Sequence, residues 1–424
     1  MLDIRLIRED PEKFRTALSK RGGPWADQLD TVLEVDRRWR EVTAEVNRLR
    51  ETRNRASIAI GQVKDKVMRE AKVEEVRALK DKLQTLETEL KDLDARRDKL
   101  LLELPNVPHE SVPEGAGPAD NPEKRRWGEP HEFPFTPKDH GTLGSALGII
   151  DFERGVKLAG EGFYAMVGLG ARLERALIQF FLDEAGAKGY LEILPPFIVT
   201  EQTATGTGHL PKNAEDMYLI ERDRMALIPT AEVPLTSYYR GDILLTDQLP
   251  IKLCAYTPCW RREAGRTTDT KGIIRVHQFN KVELLKLATP EKAWDELEAL
   301  TVDAEGVLQK LDLPYRVVEL CTGDIGYASA KTYDIEVWLP SQNAYKEISS
   351  CSCFTDFQAR RVGLKYRDKE GQAGKFLYTL NGSGLAVGRT VVAILENYQS
   401  EDGSVDIPVA LQPYMGGATE IPAP

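Results

Sequence analysis

Apolar residues recur at spacings of three and four without a slip from Val32 through Val35, Trp39, Val42, Val46, Leu49, Arg53, Ala56, Ile60 and Val63 to Val67, with Arg53 the one polar member. After a short polar break the pattern resumes at Val76, Leu79, Leu83, Leu86, Leu90, Leu93, Arg97, Leu100 and Leu104. Alternation of this kind is the seam of a coiled coil, because it keeps one stripe of each helix facing a partner. Neither Gly nor Pro occurs in residues 25–60 or 62–104, so both runs can be helical throughout. The runs are similar in length and follow each other directly. They predict an antiparallel α-hairpin, an arm over about 27–104, turning near residues 67–73. At 1.5 Å per residue, helices of about 38 residues reach on the order of 55 Å.

The arm is unevenly charged. From Val46 to Lys82 there are 11 basic and 6 acidic residues, while the whole chain carries a formal charge of −10, which leaves −15 elsewhere. A basic tip on an acidic body suits a polyanion held at the arm, while the body repels indiscriminate binding of RNA or DNA. A solvated coiled coil explains the same residues without any ligand, since positions flanking a heptad seam are charged in any case.

Residues 105–137 hold eight of the 24 prolines together with Gly115, Gly117 and Gly128, the composition of a linker. The 424 residues therefore divide into an N-terminal domain over 1–104, a linker over 105–140 and a larger domain over 141–424. In the larger domain an amphipathic helix is expected over about 163–185 and another over 290–311. Strand-like alternation marks 251–263, 273–285, 333–338 and 344–351, the last two joined by the turn Pro340-Ser341-Gln342-Asn343. Strands joined by hairpins, with helices interspersed irregularly, predict an α+β domain with a mainly antiparallel sheet.

With 42% hydrophobic residues and no apolar run approaching the roughly 18 that a membrane span needs, a membrane partner is not expected. The N-terminus mixes acids with bases and has no apolar stretch followed by a small-residue cleavage site, so the expected compartment is the cytoplasm. Five cysteines, Cys254, Cys259, Cys321, Cys351 and Cys353, fit no disulfide framework and no common zinc spacing, and read as buried thiols.

No G-x-x-x-x-G-K-[ST] loop occurs, and Gly382-Ser383-Gly384-Leu385-Ala386-Val387-Gly388 misses the dinucleotide fingerprint by one residue. Phosphates would have to be met by side chains, and two places offer them. In Trp260-Arg261-Arg262-Glu263 a strand ends in two guanidinium groups and a carboxylate, and a polar loop, Arg266 to Gly272, leads into a second strand. Strand parity there puts Ile274, Val276, Val282 and Leu284 on one face and Arg275, His277, Phe279, Lys281 and Glu283 on the other. A ring among charges suits a stacked base beside phosphate contacts. A salt-bridged solvent face fits the same alternation. In the second place, Glu347-Ile348-Ser349-Ser350 presents hard oxygen donors of the kind Mg²⁺ shares with phosphates. There Asn381-Gly382-Ser383-Gly384 is expected to break a strand, and Leu385 to Gln399 to form an apolar helix with Arg389 in its first turns. A lone early arginine on such a helix calls for an anion or a structural ion pair.

Taken together, these segments resemble the seryl-tRNA synthetase family of class II aminoacyl-tRNA synthetases. The resemblance spans the α-hairpin, its exit Leu104-Pro105-Asn106-Val107-Pro108-His109, and in family order Thr230-Ala231-Glu232, Arg261-Arg262-Glu263 with His277-Gln278-Phe279, Thr322-Gly323-Asp324, Glu347-Ile348-Ser349-Ser350 and Gly384-Leu385-Ala386-Val387-Gly388-Arg389. Class I signatures of the H-I-G-H and K-M-S-K-S type are absent.

The resemblance implies a catalytic antiparallel sheet flanked by helices, behind a long helical hairpin. It implies ATP bound by Arg261, Arg262, Glu263, Val276, Phe279, the stretch Glu347, Ile348, Ser349, Ser350, and Arg389. Within that set Arg261 holds the α-phosphate, Phe279 stacks the adenine, Arg389 covers its other face and reaches the γ-phosphate, and Glu347 and Ser350 bind Mg²⁺. Arg261, Arg389 and Glu347 carry the catalysis. Serine lies among Thr230, Ala231, Glu232, Glu283 and Ser383. On the arm, Arg48, Arg50, Arg53, Arg55, Lys64, Lys66 and Arg69 meet the backbone of tRNA(Ser), and tRNA(Sec) is a second implied acceptor. A homodimer is implied through the segment holding 163–185 and Pro196. The loop from Ala264 to Gly272 is one residue shorter than the family's and lacks its central glycine, and Cys353 stands where asparagine is more frequent. Two other classes remain at this point: a ligase loading an amino acid on a carrier protein, which would have no use for the arm, and a non-enzymatic RNA-binding coiled coil, which would not retain Arg261, Glu347 and Arg389.

Overall fold

The computed structural model describes residues 1–264 and 272–423, so most of the expected loop after Arg261 lies outside the described residues. The chain forms two compact units, Leu2–Pro105 and the residues from Asn106 onward.

In the first unit, helices α1 (Trp25–Gln62) and α2 (Lys66–Glu103), each 38 residues long, run antiparallel. The turn falls at residues 63–65 rather than near 67–73. Asp65 is the reason: its side chain accepts the Met68 N–H at 2.9 Å and starts α2 there, after Val63 has left helical geometry. Val67 therefore opens the second helix instead of closing the first seam, and is 75% exposed. Val42, Val46, Leu49 and Leu83 are buried between the helices, with Leu79, Leu86, Leu90 and Leu93 packed against them. The polar entry Arg97 is accounted for by Trp39, whose ring centre lies 4.2 Å from the guanidinium carbon, and by Asp94 at 2.7 Å. Toward the turn the seam thins, and Ile58 and Met68 are exposed.

The second unit is built on an eight-stranded sheet. In chain order its strands are β1 (Glu123–Trp127), β2 (Leu191–Glu192), β3 (Ile251–Trp260), β4 (Gln278–Ala288), β5 (Tyr315–Glu319), β6 (Lys331–Leu339), β7 (Ala344–Cys353) and β8 (Tyr378–Ala386). In space the order is β1-β5-β6-β7-β8-β4-β3-β2, antiparallel except between β2 and β3. The expected α+β sheet is thus present. The proline-rich segment contributes its edge: β1 is bounded by Pro122 and Pro130, pairs with β5, and stacks Trp127 on Tyr315 at 5.9 Å.

Three helices, α3 (Leu169–Ala187), α4 (Ala293–Lys310) and α5 (Val387–Asn397), bury Leu173, Phe180, Leu300, Leu308, Val391 and Ile394 against the sheet residues Val282, Leu284, Ile335, Ile348 and Leu380. On the other face Leu285 and Leu287 pack with Ala231, Leu235 and Ala359. The functional strands lie between these two cores.

Several expected boundaries move. The first strand stops at Trp260 and the second starts only at Gln278, so Arg275 and His277 sit in the irregular approach to β4 and not on its face. Lys281 and Glu283 do share a face with Phe279 but are buried rather than solvated. The Asn381–Gly384 segment does not break its strand: β8 runs on to Ala386, and the helix begins at Val387 instead of Leu385. Gly384 is an extra residue there, because Val282 pairs with Leu385 while Glu283 pairs with Ser383. Ile348 plays the same part in β7, where Ile335 pairs with Ser349 but Glu336 pairs with Glu347.

Candidate active site

Strict alternation would send Glu347 and Ser350, three residues apart, to opposite faces of β7. The bulge at Ile348 absorbs the odd residue, buries the isoleucine in the helix-side core, and leaves both oxygen-bearing side chains lining one cavity. Glu347 also borders an adjoining cleft with Arg261, Glu263, Val276, Phe279 and Arg389. The two hollows share Arg261, Lys281, Glu347 and Ser383, and so form one continuous site.

The cleft is organised by cations and a ring. Arg261 follows β3 directly; its backbone N–H donates to the His277 carbonyl at 2.9 Å, and its guanidinium carbon lies 5.1 Å from the Phe279 ring centre. Glu263 takes a left-handed φ of 51° and accepts from Arg275 at 2.9 Å, which fixes the end of β3 to the approach of β4. Arg389, in the first turn of α5, donates to the backbone carbonyl of Glu347 at 2.6 Å and lies 3.5 Å from its carboxylate. Two guanidinium groups thus border a cleft with an aromatic wall and a carboxylate.

The cavity beyond it holds two buried carboxylates, Glu232 and Glu283, beside the buried Thr230 and Lys281. Glu283 on β4 is saturated: Asn381 donates to Oε1 at 2.9 Å, Thr230 donates to Oε2 at 2.8 Å, and the Lys281 ammonium pairs with Oε2. Glu232, at the start of the short helix Glu232–Thr236, accepts from Gln358 at 2.6 Å. Burial, and then the nearby charge of Glu283, push its carboxyl up to about 7. His209 lines the same cavity; burial and the charges of Arg261 and Lys281 lower its imidazole to about 3, so it is a neutral hydrogen-bonding group. Behind Ser350, Asp334 is its register partner on β6 and has a buried Oδ1 with no hydrogen-bond partner.

Of the residues singled out from the sequence, Thr230, Glu232, Arg261, Glu283, Glu347, Ser350 and Ser383 line the cavity, and Glu263, Val276, Phe279, Ile348 and Arg389 line the cleft. Ala231, Arg262 and Ser349 line neither. Ala231 is packed in the core, Arg262 is exposed with its backbone N–H on the Asp216 carbonyl, and the buried Ser349 hydroxyl donates to the Ser383 carbonyl at 2.6 Å, tying β7 to β8. On the arm, Arg48, Arg50 and Arg55 pair with Glu45, Glu87 and Glu51, and Arg53 donates to Asn54. Among the described residues Lys64, Lys66 and Arg69, at the turn, make no ion pair.

Lys281, Asn381, His209 and Gln358 were not singled out as site residues. Parity along β4 and β8 puts Lys281 with Glu283 and Asn381 with Ser383, so two of the four were within reach of the sequence. Nothing local marks His209 or Gln358. Burial raises Cys351 and Cys353 to about 12, in keeping with unreactive buried thiols.

Comparison with known proteins matches two stretches of the chain to family models. Residues 1–108 match the seryl-tRNA synthetase N-terminal domain, and residues 218–398 match the tRNA synthetase class II core domain (G, H, P, S and T). The serine–tRNA ligase of Pelotomaculum thermopropionicum is 55% identical over 99% of this chain and 100% of its own length, and that of Thermodesulfovibrio yellowstonii is 52% identical over 98% and 99%. Among solved structures, seryl-tRNA synthetase from Pyrococcus horikoshii complexed with ATP superposes with a TM-score of 0.94 at 38% identity over all of both chains. The cytoplasmic serine–tRNA ligase from Naegleria fowleri in complex with AMP does so with 0.88 at 32% identity over 99% of this chain and 98% of that one. On residue pattern, fold and full-length similarity, this chain belongs to the seryl-tRNA synthetase family of class II aminoacyl-tRNA synthetases.

Proposed function

We propose that the chain activates L-serine with ATP and transfers the seryl group to tRNA(Ser). The observation that carries the reading is the junction of the cation-and-ring cleft, lined by Arg261, Phe279 and Arg389, with the buried acidic cavity of Glu232, Glu283 and Thr230. ATP lies in the cleft with its adenine against Phe279 and the Arg389 side chain opposite, and its α-phosphate meets Arg261. Serine lies in the cavity, where a carboxylate answers its ammonium and fixed polar groups answer its hydroxyl. A cavity built to bond a hydroxyl rejects alanine, because its own buried polar atoms would be left unpaired.

In the first step a serine carboxylate oxygen attacks the α-phosphorus, the bond from that phosphorus to the α,β-bridging oxygen breaks, and pyrophosphate leaves. A terminal ribose hydroxyl of tRNA then attacks the seryl carbonyl and AMP departs. Both steps depend on positioning and on cations aimed at developing charge, which Arg261 and Arg389 supply. His209, which lines the cavity, stays neutral near neutral pH and so is no imidazolium acid for either step.

Mg²⁺ fits this site: Glu347 and Ser350 offer hard oxygen donors on one cavity wall, with the unpartnered Asp334 oxygen behind them. Bound there, the ion neutralises phosphate charge. The same proposal includes tRNA(Sec) as a second acceptor on the strength of the family resemblance, and a homodimer, supported by the exposed apolar residues Leu158, Leu191 and Leu194. No described helix is long and apolar enough to cross a membrane, which is compatible with the cytoplasmic placement proposed here.

The test is ATP–pyrophosphate exchange with purified protein, Mg²⁺ and one amino acid at a time: serine, threonine, alanine, glycine or cysteine. Exchange with serine alone is expected. Exchange with another amino acid, or with none, overturns the reading.

A further inference from the structure

Glu232 and Glu283 lie in the same cavity but are held very differently. Both oxygens of Glu283 are occupied by Asn381, Thr230 and Lys281. Glu232 has one partner among the described residues, the Gln358 amide on Oε1, which leaves Oε2 as the oxygen open to a ligand. How Glu232 is aimed therefore depends on how Gln358 is held.

Gln358 is wholly buried at the start of the short helix Phe357–Val362. Its amide nitrogen donates both to Glu232 at 2.6 Å and to the Thr207 carbonyl at 3.2 Å, while its carbonyl accepts the Thr379 hydroxyl at 2.6 Å. Each hydrogen-bonding group of the amide has a partner of the right kind. A flipped amide would set its oxygen against a carbonyl and a carboxylate, so only one orientation is allowed. Thr379 is itself fully buried on β8, two residues before Asn381, and the anchor is thus part of the sheet that carries Ser383 and Asn381.

We propose that Gln358 is a positioning residue for serine recognition: clamped by Thr379 and Thr207, it pins one oxygen of Glu232 and turns the other toward the substrate. This rests on the reading of Glu232 as a serine contact. Gln358 need not touch serine, and its effect passes entirely through the carboxylate. Thr379 and Thr207 become a third layer, with Thr379→Val expected to loosen the amide without removing it.

The test is a double-mutant cycle on the full chain, read by pyrophosphate exchange with Mg²⁺. Gln358→Leu, which keeps the volume and loses the donor, is expected to raise the KM for serine about 10-fold or more while the KM for ATP stays unchanged. Thr379→Val should shift serine KM in the same direction by less, which guards against misfolding of the leucine variant. In a Glu232→Gln background, Gln358→Leu should add little to serine KM, because both changes remove the same interaction. A serine KM that Gln358→Leu and Thr379→Val leave unchanged, equal losses for serine and ATP, or fully additive effects in the double variant would overturn the proposal while Glu232→Gln alone still raises serine KM. If Glu232→Gln leaves serine KM unchanged, the assignment of Glu232 to serine fails, and the proposal with it.

Discussion

A carboxyl pushed up to about 7 changes charge within the pH range where such an enzyme is assayed. Burial raises it most and Glu283 on β4 raises it further, Gln358 lowers it by hydrogen bonding, Lys281 and Arg261 lower it by their charge, and the neutral His209 shares the cavity. The ammonium of serine is attracted to the ionised form. As pH falls through about 7 Glu232 takes up a proton, the charge partner is lost, and serine KM should rise while ATP KM stays flat. Above that value serine KM should level off. Steady-state exchange across this range checks the sign, and a flat serine profile would show that Glu232 does not hold the ammonium. Arg389 supports a second residue-level prediction. Its guanidinium borders the cleft, 28% exposed, and its polar contacts are with the carbonyl and carboxylate of Glu347. Arg389→Ala should therefore abolish seryl-adenylate formation with little change in tRNA binding or in thermal midpoint. Retained exchange would remove Arg389 from the phosphate site.

The arm's elements were legible because a heptad seam is a local, repeated signal, and even its two polar entries have physical accounts in Trp39, Asp94 and Asn54. The turn was misplaced because the seam reads through Val63 and Val67 as if the helix continued, while one cap, Asp65, decides where the second helix starts. The same limit applied in the sheet. Parity gave the Phe279, Lys281, Glu283 face correctly, but a bulge reverses parity and leaves no mark in the sequence, so the joint placement of Glu347 and Ser350 followed from the resemblance and not from alternation. Gln358 was missed for a related reason, since its partners Thr207, Glu232 and Thr379 come from three distant segments. The seam itself invites a test. Leu83 is 2% exposed and packed against α1. Leu83→Ala should destabilise the hairpin by about 2–4 kcal/mol. Hydrogen exchange should quicken in the distal parts of α1 and α2, and pyrophosphate exchange, a property of the other unit, should not change.

At the scale of the molecule, charge is divided between the units. Residues 46–82 carry 11 basic and 6 acidic side chains in a chain of −10; Arg48, Arg50, Arg55, Arg77 and Lys82 are paired along the arm, and among the described residues Arg53, Lys64, Lys66, Arg69, Lys72 and Lys80 make no ion pair, three of them at the turn. A duplex RNA is read largely through backbone and shape, so these cations need only lie at the right spacing, not at particular bases. The ion pair between Glu45 and Lys82 at 2.8 Å shows that these two positions face each other across the hairpin. Residues 46–62 of α1 and 66–82 of α2 are therefore matched lengths, and replacing 46–82 by a short glycine-containing turn shortens the arm without shifting the register of what remains. That variant should keep full serine-dependent pyrophosphate exchange and lose aminoacylation of tRNA(Ser) through a raised KM for tRNA. Its residual tRNA binding should also depend less steeply on salt than that of the full chain, because fewer phosphates are neutralised. Undiminished aminoacylation, or an unchanged salt slope, would return the arm to a solvated coiled coil and move tRNA selection to the catalytic unit.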